Sequence, residues 1–218
     1  MLPLDLTMQP TCPRKRLRTI AAFTLIELLT VVAIIGILAA IIIPVTGSVR
    51  NKARTVQCAG NIREFARATL LYAADHKDML PRLYASNWVA DLWPYGGNGR
   101  TYVAFGGDAL PEILTGTIFE CPLAHRDTIT PKRSYAANVQ VSTDAPSKAV
   151  SLRVATSPSS TVMFADSAAT SSLSVTAINP RHDNKFNAAF FDGHVKSLRK
   201  AGADIMDTTY KSTFWKSP

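Results

Sequence analysis

The sequence predicts an α+β protein in which a long N-terminal helix, its first half apolar enough to cross a membrane, packs on a small antiparallel sheet domain. Three observations predict it. An apolar run from Phe23 to Ile43 carries one charge, Glu27, and follows the basic stretch Arg14-Lys15-Arg16-Leu17-Arg18. Beyond Pro44, the residues Cys58, Ile62, Phe65, Ala66, Thr69 and Ala73 fall at three- and four-residue steps, the stripe of an amphipathic helix. From Thr101 onward the chain breaks into short β-rich runs bounded by Gly, Pro or Ser.

Residues 1–22 read as a basic leader. The helix is expected over 23–78, with 23–43 transmembrane: at about 1.5 Å per residue that span covers roughly 31 Å, which matches a hydrocarbon core of about 30 Å. An ordinary secretory signal fits less well, because its apolar stretch is shorter and its cleavage site follows that stretch. Glu27 lies a turn inside the span, where an unpaired carboxylate is costly, so it demands a partner. A cut between Ala22 and Phe23 would create one, since the new α-amine would sit about one turn from Glu27 of the same chain or be offered to Glu27 of a neighbour. Gly36 and Pro44 are the weak points of the helix, and Met79-Leu80-Pro81 ends it.

The domain at 79–218 is expected to hold strands at Thr101–Phe105, Gly116–Phe119, Ser134–Val139, Thr161–Ala165 and Leu173–Ile178. A hairpin should follow, Ala188–Phe191 and His194–Leu198 joined by a two-residue Asp192-Gly193 turn. Gly96–Gly99 and the Ser, Thr and Ala-rich stretches between Ser142 and Ser174 read as loops around these strands. Trp88, Trp93, Tyr95, Tyr102 and Phe105 cluster in one region, as core or as a contact surface for a partner or carbohydrate.

The formal charge is +8, yet four of the 24 basic residues and one of the 16 acidic residues lie in the leader, leaving 20 against 15. Arg50, Lys52 and Arg54 sit just past the apolar span, where anionic lipid headgroups are near, so membrane lipid rather than nucleic acid is the expected partner. Cys12 falls in the leader. The remaining Cys58 and Cys121 are either a disulfide, favoured in an oxidising compartment, or two separate buried thiols.

His182, Asp183, Asp192 and His194 lie close enough in sequence to invite a metal or acid/base role. A histidine in the loop Asn179–Asn184 more commonly fixes loop shape, and Asp192 is explained by its turn. Oxygens of Asp166, Asp183, Asn184 and Asp192 are weak calcium candidates without EF-hand spacing, and Cys121 with His125 lacks a second ligand pair for zinc. No phosphate loop, nucleophile elbow or His-Glu-x-x-His occurs, so no catalytic residue and no enzyme activity is expected.

A small residue followed by Phe23-Thr24-Leu25-Ile26-Glu27-Leu28-Leu29 and an Ile/Val/Ala helix ending at Ile43-Pro44 resembles the type IV prepilin signal of pilins and type II secretion pseudopilins, with Ala22 standing where most members carry Gly. Further along, Cys58, Asn61-Ile62-Arg63, Tyr72–Asp75, Cys121-Pro122, Ser134-Tyr135, Ala165-Asp166-Ser167 and the element His182, nine residues, Asp192-Gly193 are similar to the bacterial prepilin-like family with a C-terminal His-x9-Asp-Gly motif. The resemblance implies a pilin-like fold, cleavage by a prepilin peptidase between Ala22 and Phe23, N-methylation of Phe23, and pairing of Glu27 with a neighbouring N-terminus. It implies partners too: other pilins or pseudopilins and the inner-membrane platform of a secretion or pilus apparatus. The leader would be cytoplasmic and the domain periplasmic or in an extracellular filament. A type II secretion pseudopilin is the leading expectation, a pilin of a surface fibre the second, and a membrane-anchored binding module that never polymerises the third.

Overall fold

The computed structural model of this protein describes residues 23–83, 87–102, 114, 116–124, 134–141, 150–168, 172–202, 204–209 and 211–216. The chain divides into two units, Met1–Thr46 and Gly47–Pro218. Helix α1, Leu25–Asp75, runs through the division and contains Pro44. The chain is α+β, with the long N-terminal helix and small antiparallel sheet of a pilin-like layout.

In the first unit α1 buries almost nothing. Fifteen large apolar side chains between Phe23 and Val45 stand exposed, from Val31 at 47% to Leu25 at 82%. At about 1.5–3 kcal/mol for each side chain of this kind, leaving them in water forfeits tens of kcal/mol, more than the net stability of a typical domain. Only an apolar surround makes this segment tenable, and the helix is a candidate single-pass membrane span.

In the second unit the rest of α1 becomes one wall of the core. Cys58, Ile62, Phe65, Ala66, Ala68, Thr69 and Ala73 are its buried positions, which reproduces the stripe read from the sequence. The helix stops at Asp75, three residues before the expected end. Its C-terminus closes by an Asp78 N–H to Ala73 C=O bond of 2.8 Å, with Lys77 at φ 57° in the left-handed position that usually goes to glycine.

A second helix, α2, Asn87–Gly96, was not expected from the sequence. Trp88, Val89, Leu92 and Trp93 are large side chains it buries, a helical spacing that the internal Pro94 obscured. Arg82 clamps the segment before it, placing Nε and Nη2 on the two Asp91 carboxylate oxygens at 3.1 and 2.7 Å. Phe65 sits at the centre of this layer with the rings of Trp88, Phe119 and Phe164 at 5.1, 5.4 and 4.1 Å. Trp93 stacks on Phe119, so Trp88 and Trp93 are core residues and not a contact surface. Phe105 and His125 lie outside the described residues.

The sheet has order β1-β2-β3-β4, all antiparallel: β1 Tyr135–Ala137, β2 Val162–Asp166, β3 Lys185–Phe190 and β4 Val195–Arg199. One face packs on the layer of α1 and α2 through Tyr135, Ala137, Phe164 and Ala189. The other carries Ala136, Val162, Ala165, Phe186, Ala188 and Phe190 against Leu173, Ile178, Ile205, Phe214 and Trp215. Between Val162 and Phe164 the register against β3 slips, so Met163 and Phe164 both face the helix layer.

Three of the expected strands are corrected. Gly116–Phe119 is a turn, where Gly116 has φ 76° and the Thr117 hydroxyl bonds the Leu114 carbonyl and the Phe119 N–H, displacing ladder bonds. Leu173–Ile178 also turns, drawn round by the Ser174 hydroxyl on the Ala177 N–H, and isolated bridges at Ser172 and Ile178 tie it to the sheet. Thr101 and Tyr102 are not in a strand, and 103–105 lie outside the described residues.

The β3–β4 connection is a three-residue loop rather than the expected two. Phe190 and His194 close it, Gly193 N–H bonds Phe190 C=O at 2.9 Å, and Gly193 alone among the loop residues has positive φ, 87°. A Cβ at Gly193 would lie 3.2 Å from Leu70 Cδ1 in a backbone region unfavourable to L-residues. Gly193→Ala is therefore expected to lower stability by about 1–2 kcal/mol, seen as a melting temperature a few degrees lower for the full chain in detergent. An unchanged melting temperature would contradict this.

Residues 204–209 and 211–216 return along the second face. Val162 N–H bonds Phe214 C=O at 2.8 Å, Asn138 Nδ2 donates to the carbonyls of Val162 and Trp215 at 2.8 Å each, and Trp215 is fully buried. Asp207 organises the turn before it. The Thr209 hydroxyl and the backbone N–H groups of Ser212, Thr209 and Lys211 hold its carboxyl down to about 2.

Candidate functional site

Two places carry chemistry, the first turn of α1 and a buried polar cluster in the second unit. At the start of α1, Thr24 is the N-cap. Its hydroxyl accepts the Glu27 N–H at 3.2 Å, and Glu27 Oε2 accepts the Thr24 N–H at 2.9 Å and the Thr24 hydroxyl at 2.8 Å. This reciprocal pair is a capping box, which satisfies helix-end donors that would otherwise be orphaned. The Thr24-x-x-Glu27 spacing in the sequence is the signal for this cap. Glu27 thus has a local partner, Thr24. Phe23 is exposed, and Ala22 lies outside the described residues.

The second place forms where four elements meet. Cys58 on α1 and Cys121, in the turn after Phe119, are joined as a disulfide with Cα atoms 4.9 Å apart, which decides between the two readings of these cysteines. The Cys121 N–H bonds the Ser134 hydroxyl at 2.8 Å. Tyr135 donates its hydroxyl to the Cys58 carbonyl at 3.4 Å, and burial, helped by the Asp166 charge, pushes its pKa well above that of an ordinary phenol. It therefore stays a donor.

His182 does not meet Asp192. Its Nε2 lies 3.1 Å from Asp166 Oδ2 and 3.7 Å from Cys121 Sγ, with both side chains of the His–Asp pair fully buried. Asp166 Oδ2 also accepts the Asn187 N–H at 2.6 Å. Arg181 donates to the carbonyls of Ser134 and Ser167, tying the loop to the ends of β1 and β2. The pairing of His182 with Asp166 joins residues 16 positions apart on separate elements, and no local spacing announces it.

The turn that aims His182 has its own sequence signature. Asp183 and Asn184 have φ of 50° and 61°, and His182 and Lys185 exchange backbone bonds of 3.0 and 2.9 Å. That is a two-residue hairpin turn of the mirror-image type, favoured by Asn and Asp because they tolerate left-handed backbone. Asp192 belongs to the other hairpin. Partial burial works against its ionisation, yet hydrogen bonds from the His194 backbone and ring hold its carboxyl below the usual range. The His194 ring stacks on Phe190 at 4.4 Å.

No family model, curated protein or solved structure matches this chain. What the geometry itself assigns to the sequence candidates is therefore decisive. Asp166, Asp183 and Asp192 have three different occupations: a contact of the buried His182 ring, a turn residue and a loop clamp. Among the described residues, the metal-ligating atoms that do converge are those of Cys58, Cys121 and His182. His182 and the Asp192-Gly193 pair serve the fold at two separate hairpins. An open polar pocket of about 430 Å³ lies beside this cluster, with Lys52, Asn51 and Thr55 of α1 on one side and Asn179, Arg181 and Asp183 on the other.

Proposed function

We propose that this chain is a pseudopilin-like subunit, cut by a prepilin peptidase between Ala22 and Phe23, N-methylated at Phe23, held in the inner membrane by residues 23–43 and assembled through that helix into a filament of a type II secretion system. The observation that carries the reading is the exposed apolar half of α1 with a single carboxylate in its first turn. A plain anchor needs the length and the apolar surface but has no use for that acid. The capping box lowers the cost of Glu27 without neutralising its charge, which leaves a carboxylate to receive the positive N-terminus of a neighbour. The disulfide supports placement of the globular unit in an oxidising compartment, with the leader in the cytoplasm.

N-terminal sequencing and intact-mass measurement of the membrane form are expected to find methyl-Phe at Phe23. A chain that begins at Met1 would refute the processing step. Genes for a secretion platform or for a surface fibre beside this one would separate a pseudopilin from a pilin used in adhesion, motility or DNA uptake.

A further inference from the structure

The disulfide is set in an unusual wall. Cys58 and Cys121 border the apolar core, yet on one side the fold sets a buried imidazole and a buried carboxylate against them, and the cluster draws on four separate elements: α1, the turn carrying Cys121, the end of β2 and the loop before β3. The ligand atoms of Cys58, Cys121 and His182 lie within 4.8 Å of one another. Asp166 Oδ2 is 3.1 Å from the same nitrogen, His182 Nε2, that faces Cys121 Sγ at 3.7 Å. Asp166 Oδ1, fully enclosed, has no hydrogen-bond partner. A buried carboxylate oxygen left without a donor is a costly arrangement unless some state of the protein uses it.

We propose that the reduced protein binds one zinc ion through Cys58, Cys121, His182 and Asp166, so that the disulfide and the metal are alternative closures of the same joint. Bonds of about 2.3 Å to sulfur and about 2.0–2.2 Å to nitrogen and oxygen in a tetrahedron require ligand atoms roughly 3.3–3.8 Å apart. The two contacts of His182 are already near that range. Thiolates select a soft cation over calcium. The chemistry balances as follows: a dithiol reductant gives two electrons and two protons to the Cys58–Cys121 bond and becomes a disulfide itself. Zinc then displaces the two thiol protons to solvent; Nε2, whose hydrogen faces Asp166 Oδ2, gives up that hydrogen and presents its lone pair to the metal, while the single imidazole proton moves to the buried, unpartnered Nδ1. In the reverse direction a disulfide oxidant takes two electrons from the two thiolates and is itself reduced to a dithiol; the sulfurs then bond each other and the ion is released. The site stands whatever the outcome for processing and assembly.

The test uses the full chain in detergent with Cys12→Ser, so that the leader thiol cannot ligate, reduced with a phosphine and titrated with Co²⁺ as a spectroscopic stand-in. One Co²⁺ per chain with thiolate charge-transfer bands and tetrahedral visible bands is expected, bleached by Zn²⁺ and absent from the oxidised protein. His182→Gln and Asp166→Asn should each weaken Co²⁺ binding by at least ~10-fold, with their oxidised forms melting cooperatively as a check on folding. A second measurement needs no variant: Zn²⁺ should raise the melting temperature of the reduced protein above its value with chelator. Absence of the bands, affinity unchanged in both variants, or a melting temperature indifferent to Zn²⁺ would each overturn the proposal.

Discussion

Glu27→Gln is expected to leave the first turn of α1 intact and to abolish assembly. Glutamine at this position still accepts the Thr24 N–H, as the capping box requires, but it carries no charge. Glu27→Ala removes both. If the carboxylate serves a neighbouring N-terminal amine in a medium of low dielectric, losing it leaves that amine unpaired, and a loss of even about 3 kcal/mol per contact reduces association about 100-fold. Cross-linked oligomers in membranes should therefore disappear in both variants, while the monomer remains inserted and cut. The informative contrast is between the two. Assembly that survives Gln and fails with Ala would show that Glu27 acts only as a helix cap, and assembly that survives both would sink the filament mechanism.

The second large effect concerns the Cys58–Cys121 bond, which closes a sequence separation of 63 residues. Cross-linking entropy for a loop of this size amounts to about 4 kcal/mol of stabilisation at 25 °C. Cys58→Ser with Cys121→Ser is expected to lower the melting temperature of the globular unit by about 8–16 °C, taking 2–4 °C for each kcal/mol in a domain of this size. Labelling of both thiols in the unreduced native protein would exclude the bridge altogether.

Much of this architecture was legible because the residues concerned report their own surroundings. Phe23–Ile43 is apolar on every side, as a lipid-facing helix must be. Cys58 to Ala73 is striped, as a helix with one wet face must be. The strands were harder to read for a physical reason: β2 and most of β3 are buried on both faces, so Val162–Ala165 and Ala188–Phe190 show short apolar runs with no alternation to set their register. Two other β-rich segments, Gly116–Phe119 and Leu173–Ile178, turned instead, because Thr117 and Ser174 offered the backbone side-chain bonds within three residues. Helix α2 was hidden by Pro94. The polar cluster was legible only as a list of residue types: His182 and Asp166 were both singled out, but their pairing depends on how β2 and the loop before β3 come side by side.

The disulfide also has a mechanical meaning. A pull delivered through α1 and resisted at β3 and β4 reaches Cys58 and passes through sulfur to Cys121 without loading the chain between them. At about 3.5 Å per extended residue, the bypassed stretch stores roughly 220 Å of contour that tension cannot draw out. Under load the oxidised subunit behaves as a short strap with a covalent stop, whereas a reduced, metal-free subunit can release that length once Phe65 and its ring neighbours give way.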